Sequence, residues 1–216
     1  MLEQSNFTEL RIVNMGVISN GTTLLDAGAA SSGVFSGATV LLATTTLSSN
    51  AAVIDFTNPA MSSTYKEYVF KIINVHPVND DVTFGCQFET GTGTTYQTAI
   101  TSTMFRSTNG EDSSSGGLAY LASGDLGDNT GLLPLASSIG NDADQCVVGE
   151  LHLFEPSSAT FMKNFTATFN SIAHSNRTNH QFIAGYANIT TALTRVRFKF
   201  SGGDIGAGTI KMYGIV

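Results

Sequence analysis

The densest run of oxygen ligands in this chain is Asn141-Asp142-Ala143-Asp144, directly after Gly140. Carboxylates two positions apart in a loop can share a calcium ion, because a hard cation gathers several oxygens at short range. The run lacks the spaced glutamate and further ligands of an EF-hand, so an Asx-turn is expected, with Asp142 and Asp144 as the only metal candidates. Asp125, Asp128 and Asn129 form a thinner version in a glycine-rich stretch. The four histidines, His76, His152, His174 and His180, show no metal-ligand spacing, and His174 and His180 stand in polar surroundings that read as exposed. There is no G-x-S-x-G elbow, and no carboxylate pair is identified for acid and base work. The expectation is a protein without catalytic residues and without a cofactor. Tyr96, Tyr120 and Tyr186 lie in or near loop-like segments, and their ring faces suit stacking on sugars, which makes them the candidate glycan contacts. The absence of tryptophan weighs against that use.

Composition narrows the partners. A net charge of -7 supplies no positive field for phosphate backbones or anionic lipid, so neither nucleic acid nor membrane is an expected partner. Only 12% of the residues are charged, roughly half the usual share, and Gly, Ser and Thr fill the polar positions. No stretch approaches the roughly 18 apolar residues of a membrane span, and the N-terminus shows no cationic run leading into an apolar core. The reading is a protein made in a reducing cytoplasm, with Cys86 and Cys146 as free thiols. Cys86 alternates with Val82, Phe84 and Phe88 and is expected in the core.

The elements that position these residues read as strands. Tyr65 to Pro77 is a run of β-branched and aromatic residues closed by a proline, and it predicts one long strand covered on both faces. Tyr68, Phe70 and Ile72 share one face and Val69, Ile73 and Val75 the other. Short strands are expected on either side of Ser48-Ser49-Asn50, and then an antiparallel return over Val82 to Glu89. Residues 90 to 145 read as loops with short strands such as Leu118 to Leu121 between them. Strand signal resumes at Cys146 to Phe154, Phe161 to Phe169, Phe182 to Asn188 and in a closing hairpin. In that hairpin Val196, Phe198 and Phe200 point inward and Arg195, Arg197 and Lys199 form a solvated stripe. The fold class is all-β, an antiparallel β-sandwich or jelly-roll-like domain over residues 41–216 with minimal helix. Residues 1–40 are either an N-terminal arm or the first edge strands of the sandwich. Leu10, Ile12, Val13, Val17 and Ile18 are its apolar groups, and a surface of that kind is commonly covered in an oligomer.

Four pieces carry a resemblance: the Tyr-x-x-Tyr strand ending in Asn74-Val75-His76-Pro77, the run IGNDADQC from Ile139 to Cys146, LHLFEPSSATF from Leu151 to Phe161, and the ending FSGGDIGAGTIKMYGIV. Together they resemble the β-rich virion proteins of tailed bacteriophages, especially those of marine bacteria, over about residues 40–216. These are shape motifs, and no functional residue of that family maps onto them. The resemblance implies a non-enzymatic structural protein on the virion surface, most simply an external capsid decoration, a cement or head-fibre subunit. A tail-fibre or receptor-binding module contacting host-surface glycans is the alternative. Its implied partners are other virion proteins of capsid or tail and further copies of itself, with a trimer expected.

Overall fold

The computed structural model describes residues 17–19, 22–26, 29–30, 39–57, 61–113 and 116–215. Two units emerge, Met1–Ala38 and Thr39–Val216. In the first, β1 (Val17–Ser19), β2 (Thr22–Asp26) and β3 (Ala29–Ala30) form a three-stranded antiparallel sheet of their own. The apolar positions Leu10, Ile12 and Val13 lie outside the described residues.

The second unit contains β4 (Val40–Thr46), β5 (Ile54–Thr57), β6 (Glu67–Pro77), β7 (Val82–Thr90), β8 (Ile100–Gly110), β9 (Gly116–Tyr120), β10 (Leu133–Ile139), β11 (Val147–Phe154), β12 (Lys163–Ala173), β13 (Arg177–Ala187), β14 (Leu193–Phe200) and β15 (Ile205–Ile215). One 3-10 turn at Ala122–Gly124 is the only helical element among the described residues. All pairings are antiparallel. The larger sheet runs β4-β15-β6-β11-β12-β13-β8-β9 and the smaller runs β10-β7-β14-β5. They join where Ile139 of β10 pairs with Ala173 of β12, and Ala51, in the connection from β4 to β5, bridges to Ile205 of β15. The second unit is therefore an antiparallel β-sandwich, as the period-2 patterning predicts, curled most of the way to a barrel.

Its core is aromatic. Phe56, Phe70, Phe84, Phe198 and Phe200 pack edge-on, tilted or stacked with centroids 5.3–6.1 Å apart, and Phe84 meets Phe169 from the other sheet at 6.3 Å. Cys86 is fully buried among them, and both cysteines are free thiols. Burial pushes the Cys86 thiol up, well beyond its usual range.

The central strand departs from its expected faces. Tyr68, Phe70 and Ile72 point inward as predicted, but Asn74 takes a left-handed backbone (φ 48°). The register on both flanking strands shifts here: Ile72 and Val75 face Gly149 and Val147, and Ile73 and His76 face Thr209 and Ala207. This is a β-bulge, whose extra residue reverses the alternation. Val75 therefore joins the inner face at 0% exposure, while Ile73 and Lys71 are left in solvent. Only the inner face of β6 is continuously covered.

Residues 90–145 also differ from the expectation of loops. β8 is an 11-residue strand, and β10 is a second strand. β13 begins five residues before the predicted Phe182, at Arg177. β9 ends at Tyr120 and is exposed along its whole length.

Candidate binding surfaces

The outer face of the larger sheet is the most feature-rich surface of the sandwich. Register places Lys71, Glu150, Thr168, Phe182, Phe105 and Tyr120 in one row across β6, β11, β12, β13, β8 and β9. At the β13–β8–β9 end this row becomes a ridge. Phe105 and Phe182 stack at 4.8 Å, and His180 stacks on Phe182 at 4.5 Å. Phe105 is 45% exposed, Tyr120 65% and neighbouring Leu118 72%. Aromatic side chains left in water at this density mark a contact surface more often than a structural one.

Shallow troughs flank the ridge. One, of about 430 Å³, has Thr101, Thr103, Asn164 and Thr166 along its sides and Tyr186 as an aromatic wall, over the bare backbone of Gly185. The other, of about 360 Å³, lies over Gly149 between Glu150, Asn170 and His180. The glycines cannot be filled: a Cβ on Gly185 would sit 2.3 Å from the Thr101 carbonyl oxygen, and one on Gly149 would sit 2.4 Å from that of Thr168. Mostly apolar troughs edged by a few hydroxyls and amides, beside exposed rings, can bind a polyhydroxylated ligand by ring stacking and hydrogen bonds.

The three candidate tyrosines separate. Tyr120 and Tyr186 stand on this outer face, as a sugar contact requires. The Tyr120 hydroxyl donates to Asp125, a bond that holds its phenol above the usual range. Tyr96 is 1% exposed and lies under the Arg197 guanidinium, 3.9 Å from its ring centroid. It is a packing residue on the smaller sheet and is not available to a sugar. The loop geometry supplies the reason: Glu89 accepts from the Tyr96 N–H at 2.7 Å, the Thr95 hydroxyl at 3.1 Å and the Thr90 N–H at 2.8 Å, drawing Tyr96 down in a left-handed conformation (φ 53°). The basic stripe is correspondingly not all solvent, since Arg197 forms a bidentate pair with Asp55 at 2.8 Å on each arm.

Asp142 and Asp144 lie in an exposed turn closed by Gln145, whose N–H donates to the Asp142 carbonyl at 2.8 Å while its side-chain oxygen accepts from the Asp142 N–H at 3.2 Å. Among the described residues, no three His, Cys, Asp or Glu side chains gather as a metal site. Asp125 and Asp128 are used locally, accepting from the Met104 N–H and the Asn188 amide. His152 sits between Glu67 and Glu150, and His174 beside Asp81. His180 is half-buried against Phe182, contrary to its expected exposure, because its strand packs aromatic residues outward.

Sequence patterning missed the ridge. On β13 the inward positions Asn179 and Gln181 are polar and the outward Phe182 is aromatic, so the usual alternation is inverted and gives no signal. Among the described residues, no helix is long and apolar enough to cross a membrane. No family model matches the chain, and no curated protein or solved structure matches it either.

Proposed function

We propose that this chain is a non-enzymatic surface subunit of a tailed-bacteriophage particle, an external capsid decoration in which residues 1–38 attach and residues 39–216 are displayed, and that it assembles as a homotrimer. The observation that carries this reading is the division into a small unit with its own three-stranded sheet and a large self-contained sandwich. A sandwich of this kind offers a rigid platform with few charges, and its hydroxyl-rich surface suits exposure to water on a particle. The resemblance of residues 40–216 to phage virion proteins supplies the particle. Quantitative mass spectrometry of purified particles tests it. Copies in the hundreds would place the subunit on the head, whereas absence from particles would overturn the reading.

The aromatic ridge and its troughs favour a second reading, a tail-fibre or receptor-binding module that contacts host-surface glycans through the outer sheet. Here the ridge residues Phe105, Phe182 and Tyr120 stack on sugar rings, and Thr101, Thr103, Asn164 and Thr166 bond their hydroxyls. A few copies in multiples of three at the tail would support it. Binding of the full chain to host-cell surface polysaccharide, lost in Phe105→Ala and Tyr186→Ala, would support it further; retention of binding in both variants would remove it.

A further inference from the structure

A different, partly enclosed cavity opens at the end of the sandwich closed by the turn between β12 and β13. It has a volume of about 160 Å³ and is lined by Arg106, Ser138, His174, Arg177 and Asn179, among others. Register explains the convergence. Arg106 faces Gln181, Thr108 faces Asn179 and Gly110 faces Arg177, so both arginines share the inner face, one pair position either side of Asn179. Two guanidinium groups enter this end of the sandwich.

Neither arginine forms an ion pair among the described residues, in contrast to Arg197, which is held by Asp55. Arg106 makes one long contact, from Nη1 to the Ser137 hydroxyl at 3.4 Å. The Nε of Arg177 is buried without a partner. Asn179 is 1% exposed, and its amide orientation is set by the Ser137 carbonyl, which accepts from Nδ2 at 3.3 Å. Its Oδ1 therefore points away from that carbonyl and is left without a donor. The neighbouring Gln181 is fully occupied by comparison, with Oε1 accepting from the Ser137 N–H and hydroxyl and Nε2 donating to the Leu135 carbonyl in the amide orientation that satisfies both ends. At the rim, Asp81 faces His174 at 3.2 Å. Buried donors and acceptors of this kind are costly unless something satisfies them.

We propose that this cavity binds a small oxyanion between Arg106 and Arg177, with Asn179 Oδ1 accepting from an adjacent hydroxyl of the same ligand. Guanidinium forks match the paired oxygens of a carboxylate, sulfate or phosphate, and two of them in a partly enclosed site bind such a group far better than a surface lysine. The volume equals that of about five liquid waters, each occupying ~30 Å³. This is room for an anionic group with a hydroxylated stub, and less than the ~300 Å³ where sites for drug-sized ligands begin. The unpartnered Asn179 oxygen adds a requirement for a donor beside the anion, which a hydroxycarboxylate such as the acid end of a uronic sugar meets. Free sulfate would meet the charge alone, whereas inorganic phosphate carries one hydroxyl donor of its own. The inference concerns this end of the sandwich and holds whether or not the chain sits on a particle or its outer face binds glycan.

The test is an NMR titration of the full chain with glucuronate, glucose, sulfate and phosphate, following the Arg106 and Arg177 side-chain N–H signals and the Asn179 amide. Saturable shifts at Arg177 and Asn179 are expected with glucuronate and none with glucose. Arg177→Gln should weaken binding at least about tenfold, the loss of one charge-assisted hydrogen bond, with the melting temperature retained, while Arg195→Gln on the outer stripe leaves it unchanged. Glucuronate binding tighter than sulfate or phosphate identifies a sugar acid; equal binding identifies a simple oxyanion site. If Arg177→Gln does not fold, Arg106→Gln is read in the same way. Arginine signals that stay still with every oxyanion, or that move equally in the folded variant, overturn the proposal.

Discussion

Two buried charged residues show how single side chains hold the loops of this sandwich, and each gives a measurable outcome. Burial alone would push Glu89 upward, but the N–H groups of Thr90, Tyr96 and Gln97 and the Thr95 hydroxyl outweigh it and hold the carboxyl below its usual range. A folded pKa below the unfolded one means that the unfolded chain binds more protons in the window between them. The contribution of Glu89 is thus present above the unfolded value of about 4.3 and lost as pH falls through the folded value. Glu89→Gln should cost about 1–3 kcal/mol at neutral pH, and the gap to the native protein should close on acidification. Urea unfolding across the acid range checks this, and a gap independent of pH would refute it. Lys163 is 0% exposed and forms no ion pair among the described residues. Its Nζ donates to the carbonyls of Ser158, Phe161, Thr190 and Ile189 at 2.6–3.4 Å, and burial pushes the ammonium down. It ties the β11–β12 loop to the β13–β14 loop. Lys163→Met keeps the stem but orphans those carbonyls, so a loss of about 1–3 kcal/mol is expected, with amide exchange rising first in residues 156–162 and 188–192. Neither role was legible in the sequence: a lone Lys163 beside Met162 and Asn164 carries no mark of burial, and Glu89 reads as the solvent-facing end of a strand. The buried Cys86 was legible, because it falls in a clean run with Phe84 and Phe88.

Among the elements, what the sequence conveyed depended on how well each strand keeps its alternation. From Arg195 onward β14 keeps it, with Val196, Phe198 and Phe200 buried, and those faces were readable residue by residue. β8 carries Thr, Ser, Arg and Asn on a half-wet strand, so its polar content reads as loop, although its hydrogen bonds to β13 run unbroken from Ile100 to Gly110. The bulge in β6 was invisible because it centres on the left-handed backbone of Asn74, a conformation that asparagine adopts easily but does not announce. This yields a prediction for that position. Asn74→Gly should be near neutral, whereas Asn74→Val should destabilise by about 1–3 kcal/mol, since a β-branched residue is strained at positive φ. Thermal melts of the two variants check it, and equal losses would show that the side chain and not the backbone is what matters there.

For the whole molecule, the division at Ala38 and Thr39 predicts that residues 39–216 fold without the first unit. A chain lacking residues 1–38 should give a β-rich circular dichroism spectrum and a cooperative melt within a few degrees of the full chain, and should fail to join particles if the first unit is the attachment segment. Loss of the cooperative melt would assign residues 1–38 to the core. The placement of β15 has a consequence for how the chain is made. Residues 205–215 lie between β4 and β6, so Thr209 pairs with Thr46 and with Ile73 across most of the polypeptide. During synthesis β4 and β6 must wait, each with an unpaired edge, until the last of these residues has left the ribosome. Pairings this distant in sequence close slowly, and open edges of this kind invite association between nascent chains on neighbouring ribosomes. Output of soluble protein should therefore depend on translation speed and on chaperone supply more than on the stability of the finished sandwich.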